Sequence, residues 1–128
     1  MRDRLVVRYV DGRVVKGYCN DFYPTKDGFP LTDRETGGEV LVQFADLKAV
    51  FFVKSFDTDG QMRPRDDIER FGLGSKLLVR FRDGEELLGF SATYSPDRRT
   101  FVLFPGDPDC NSQKVVVTLK ATESVEVL

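Results

Sequence analysis

Apolar and polar positions alternate from the start of the chain. Leu5, Val7 and Tyr9 share one side of an extended run, and this period of two predicts a half-buried strand over residues 5–10. Asp11-Gly12 ends the run. That pair suits a tight hairpin in a primed turn, which needs residues that tolerate positive φ. A second strand is expected from Arg13 to about Tyr23, with Gly17 inside it marking a bulge or bend. Residues 25–28 then turn into a short strand over 29–32. Gly37-Gly38 turns into a strand over 39–44, and an apolar strand over 47–56 closes the series. No long helix is expected.

The same series returns 72 positions later. Val7, Arg8 and Tyr9 match Val79, Arg80 and Phe81; Asp11-Gly12 matches Asp83-Gly84; Gly17 and Tyr18 match Gly89 and Phe90. The register continues ungapped through Phe22/Tyr94, Pro24/Pro96, Phe29/Phe101 and Leu31/Leu103. Self-similarity at a fixed spacing predicts one structural unit made twice. In the second copy the later strands fall at 100–104, 114–119 and 124–128. The expected division is a first unit over 1–56, a linker over 57–75 and a second unit over 76–128. Within the linker, 66–71 reads as a turn or two of helix stopped by Gly72.

Five short strands with a bent second strand describe a small curled barrel, because the bend lets one strand serve two sheet faces. The expected fold is therefore all-β: two tandem five-stranded barrels related by internal duplication. The units resemble Sm-like or SH3-like small β-barrels. The stretch from Val7 through Gly17 is similar to the first Sm signature, and Leu47-Lys48-Ala49-Val50 sits where the second would fall. That resemblance implies single-stranded nucleic-acid binding through a barrel face. The tandem is also similar to uncharacterised bacterial proteins that repeat an Arg-aromatic-x-Asp-Gly hairpin, and this second resemblance implies no activity.

Charge works against the nucleic-acid expectation. The chain carries 19 basic and 21 acidic residues for a net charge of −2. The balance is even within each copy, with seven Lys/Arg against seven Asp/Glu over 5–56 and seven against eight over 76–128. Phosphate neutralisation supplies most of a nucleic-acid binder's affinity and requires a basic excess. The segment after Gly17, Asn20-Asp21-Phe22-Tyr23-Pro24, also lacks the residue types of a base-contacting Sm pocket. No export signal precedes the first strand, and no segment has the length to span a bilayer. The expectation is a cytoplasmic protein whose two cysteines, Cys19 and Cys110, are reduced.

Candidate chemistry is sparse. Without a histidine, the chain lacks His-dependent triads, general bases and metal sites. Gly72-Leu73-Gly74 precedes a strand, the reverse of a dinucleotide fingerprint. Asp107-Pro108-Asp109 with Asn111 groups oxygen ligands, but without the spacing or distal Glu of a calcium loop it reads as a solvated turn. Arg98-Arg99 reads as an exposed loop tip, and Cys19, which matches Ser91, as an ordinary strand position. No enzyme, cofactor or small-molecule substrate is expected.

Differences between the copies single out the candidate site. Phe51 aligns with Glu126, Val10 with Arg82 and Tyr23 with Ser95, so three apolar residues of the first copy stand where the second is polar. Val10, Tyr23 and Phe51 are expected either to receive the second copy or to form a partner-binding or self-association patch. Arg8 and Arg80 occupy equivalent outward positions, where they would clamp an anion or pair across strands, Arg8 with Asp21 or Glu39. The function expected from these features is a non-catalytic protein-interaction or adaptor module. Its partner is a protein or a second copy in preference to nucleic acid.

Overall fold

The computed structural model describes residues 2–23, 26–60 and 72–128. Among the described residues the ten strands are β1 (Asp3–Tyr9), β2 (Val14–Cys19), β3 (Gly28–Asp33), β4 (Glu39–Gln43), β5 (Leu47–Val53), β6 (Ser75–Phe81), β7 (Glu86–Ser91), β8 (Thr100–Pro105), β9 (Ser112–Thr118) and β10 (Thr122–Val127). Single 3₁₀ turns, Phe44–Asp46 and Leu119–Ala121, precede β5 and β10. The helical turn expected over 66–71 lies outside the described residues.

All neighbouring strands are antiparallel and form one sheet in the order β10-β6-β7-β8-β9-β5-β1-β2-β3-β4. This corrects the expectation of two separate closed barrels. The sheet is open, with β4 and β10 at its ends, because β5 pairs with β9 through Ala49↔Val117, Val50↔Val116 and Phe51↔Val115. The order within the first half, β5-β1-β2-β3-β4, recurs in the second as β10-β6-β7-β8-β9.

The β5–β9 seam explains the two cores. Along β5, Val50 and Phe52 pack with Leu5, Val7, Phe29 and Leu31, whereas Ala49, Phe51 and Val53 pack with Val79, Phe81, Phe101 and Leu103. Along β9, Val116 joins the first cluster while Val115 and Val117 join the second. Each central strand thus supplies one face to each core. All seven residues of β5 are buried, which accounts for its almost unbroken apolar run.

Local chemistry shapes the ends of the strands. Gly12 and Gly84 have φ of +96° and +95°, while among the described residues no non-glycine residue has positive φ. The Gly12 N–H donates to the Tyr9 carbonyl (3.1 Å) and the Tyr9 N–H to the Arg13 carbonyl (2.9 Å); Phe81, Gly84 and Glu85 repeat the pattern. These are three-residue hairpin loops with a glycine bulge, not the primed turns expected, because Asp11 and Asp83 keep negative φ. Each aspartate instead accepts the N–H two residues on, at 3.0 Å from Arg13 and 2.9 Å from Glu85. At Gly17 a Cβ would stand 2.2 Å from the Thr32 carbonyl oxygen, and at Gly89 2.4 Å from that of Phe104. Only glycine lets β2 and β7 lie this close to the next strand. The second strand is shorter than expected, ending at Cys19.

Candidate functional site

The two halves meet at a cleft of about 580 Å³. The first half contributes Val10, Ala45, Leu47 and Lys48; the second contributes Phe81, Arg82, Asp83, Thr118, Lys120 and Ala121. Each group comes from an equivalent place, the hairpin after the first strand and the 3₁₀ turn before the last. Leu47, Phe81 and Ala121 close the cleft from the core side and are almost wholly buried, whereas Val10 stands 61% exposed. Lys48, Arg82 and Lys120 outnumber Asp83 among the charged residues, so the lining is net positive.

Lys48 and Asp83 of the lining belong to a network of four charges spanning the seam. Lys48 is only 3% exposed. Its Nζ donates to Asp83 Oδ2 at 2.6 Å and to Glu85 Oε1, and lies 4.8 Å from the centre of the Phe81 ring. Arg8 Nη1 donates to both Glu85 oxygens, at 2.9 and 3.1 Å. Both cations come from the first half and both anions from the second. A lysine removed from water requires such partners, since an unpaired buried charge costs several kcal/mol. Burial acts to raise the Asp83 pKa, but hydrogen bonds from Lys48 and the Glu85 N–H, with the charges of Lys48 and Arg8, hold it below its ordinary value of 3.8.

The sequence-derived candidates do not form one patch. Phe51 is fully buried in the second core, against the first half's β1 and the second half's β9. Val10 and Tyr23 do not share that contact. They are 61% and 50% exposed, Val10 at the cleft and Tyr23 beneath the Lys26 ammonium, 4.9 Å from its ring centre. The three positions sit on a hairpin tip, a loop and a central strand, and alignment of the halves could not show that these diverge in space. Arg8 and Arg80 are not an equivalent outward pair. Arg8 is half-buried and bonds Glu85 in place of the expected Asp21 or Glu39, while Arg80 is exposed and bonds Glu86 at 2.6 Å.

Other candidates are tied into structure. Arg99 donates to Asp27 Oδ1 at 2.8 Å and to the Lys26 carbonyl, bridging the halves from a loop first read as a free tip. The Asn111 amide is bonded to Ser55 and Thr58. Cys19 and Cys110 are free thiols; burial, above all, raises the pKa of Cys19 despite the opposing Asp21 N–H. Among the described residues, no three acidic or cysteine side chains gather as metal ligands, and no helix is long and apolar enough to cross a membrane. Sequence reasoning missed Lys48, Asp83 and Glu85 as a unit. The available signal was Lys48 itself, the single charge inside the apolar run from Leu47 to Val53.

These features, with both halves built on the same strand order, run the length of the chain, and so does its family match, over residues 1–128. The chain belongs to the Family of unknown function (DUF6982). No curated protein and no solved structure matches it.

Proposed function

We propose that this DUF6982 chain is a non-catalytic interaction module that holds an extended protein segment in the cleft between its halves. The cleft carries this reading: exposed Val10, over a floor closed by the buried Leu47, Phe81 and Ala121, offers contact to an apolar side chain, and Lys120 and Arg82 beside it offer charge to a carboxylate. A segment combining apolar and acidic residues fits both. In this reading the halves are copies of one curled, small-barrel unit, and the cleft exists because two such units share a seam. Supporting it are the recurring strand order, the paired hairpins and the paired close approaches at Gly17 and Gly89. A soluble role in the cytoplasm accords with two free thiols.

The test is selection from a displayed library of peptides about ten residues long, followed by titration of the selected peptides. Apolar-acidic peptides should emerge, and Val10→Asp and Lys120→Glu should each weaken them by about tenfold or more without lowering Tm, since both positions are exposed. Failure to select any peptide, together with salt-sensitive binding of a single-stranded oligoribonucleotide, would replace this reading with the nucleic-acid one.

A further inference from the structure

The two ends of the sheet carry different edge chemistry, and one of them is complementary to itself. On β4 the hydrogen-bonding direction of every residue follows from two flanking bonds. The Phe44 N–H donates to the Asp27 carbonyl at 2.9 Å, and the Asp33 N–H donates to the Gly38 carbonyl at 2.8 Å. Between them β3 and β4 pair as Gly28↔Gln43, Phe29↔Val42, Pro30↔Leu41, Leu31↔Val40 and Thr32↔Glu39. Antiparallel pairs alternate between bonded and unbonded, so Val42 and Val40 bond inward to β3. Glu39, Leu41 and Gln43 turn their N–H and C=O groups to the open edge. Pro30, which has no N–H, stands opposite Leu41, as this alternation requires. The side chains of Glu39, Leu41 and Gln43 are all exposed, Leu41 to 67%, next to the exposed ring of Pro30.

We infer that β4 is a dimerisation edge whose occupant is the β4 strand of a second copy, antiparallel about a twofold axis through Leu41. This register sets Leu41 opposite the second copy's Leu41 and Glu39 opposite its Gln43, twice. All six outward main-chain groups of each strand then find partners, and the charged Glu39 meets an amide instead of its own copy. The apolar row Pro30–Leu41 continues across the axis into its image. Shifting the register by two residues loses one end of the ladder and separates the leucines.

The head-to-tail alternative, β4 of one copy on β10 of another, is disfavoured by the opposite edge. By the strand correspondence, pairing β10 with a second copy's β4 would repeat the internal β5–β9 seam, with Glu126 in the place of Phe51. That place is fully buried, so Glu126 would lose its water and its ion pair with Arg80. Edge charges of this kind block strand addition. A self-complementary edge at one end and a guarded edge at the other give a closed dimer and not a fibre. The contact is small, so the dimer belongs with weak, reversible interfaces.

Sedimentation equilibrium of the full chain from about 10 µM to about 1 mM tests this, over the range suited to weak contacts. The weight-average mass should rise from 14.5 kDa toward twice that value. Leu41→Lys and Leu41→Pro should hold the chain at 14.5 kDa with circular dichroism unchanged, since neither touches the β3–β4 bonds. Gln43→Lys supplies a cation opposite Glu39 at both ends and should tighten the dimer several-fold, independently of any loss of fold in the leucine variants. Glu126→Lys should leave association unchanged. A wild-type chain that stays at 14.5 kDa throughout, or association lost with Glu126→Lys and kept with Leu41→Pro, would overturn the proposal.

Discussion

Strands β5 and β10 hold the same place in their halves and differ in nearly everything else. Each follows a 3₁₀ turn, lies beside the first strand of its half and carries a register irregularity near its start. Yet β5 is buried along its whole length, and β10 is exposed over most of it. The difference lies in what stands beyond each strand: β9 beyond β5, open edge beyond β10. Phe51 and Lys48 answer to a buried setting, Glu126 and Glu123 to water. The shared strand order therefore fixes where a strand goes, and its neighbour decides which residues it can hold.

The largest expected contrast between the two strands is at Phe51 and Glu126. Phe51→Ala empties a fully buried site and should cost about 3–5 kcal/mol in urea unfolding. Glu126→Ala, at an exposed edge, should stay within about 0.5 kcal/mol. Equal effects would break the comparison.

Gly17→Ala and Gly89→Ala test what the halves share. Both place a Cβ against a carbonyl oxygen of the neighbouring strand, and each should cost about 1–3 kcal/mol, with one value close to the other. A large loss at one position and none at the other would show that the bends are not equivalent.

The charge network at the cleft has no counterpart on β10, where Glu123 stands in the place of Lys48. Lys48→Ala should destabilise by about 2–3 kcal/mol, below the full cost of a broken buried pair, because the anions it leaves keep some contact with water. Lys48→Met, which retains the packing on Phe81, should lose less.

The smallest effect is in pH. The Asp83 pKa is depressed in the folded chain, so its contribution is complete above 3.8 and falls away as the pH drops below that value through the folded one. Acid titration of stability should therefore be shallower in Lys48→Met over that range.

Much of the strand layout was legible in the sequence. The alternation of Leu5, Val7 and Tyr9 reports a face, and the Asp-Gly pairs and interior glycines report loops and bends, all local properties. The β5–β9 seam was not legible, because pairing between halves depends on which edges meet, and no period records that. Even so, the apolar run from Leu47 to Val53 had no polar face to give water, which already implies burial on both sides. Val10 and Tyr23 looked like companions of Phe51 only because aligned residues were compared by type. Their exposure depends on a hairpin tip and a loop that alignment cannot place.

Hydrogen exchange resolved to single amides tests the shared seam most directly. If β5 and β9 join the halves into one sheet, the inward-bonded amides across Ala49–Phe52 and Lys114–Val117 should exchange only with global unfolding, and those of β10 facing the open edge much sooner. Exchange across β5 and β9 as fast as at the edge, with β1 and β6 still protected, would mean the halves part there, and the account would be wrong.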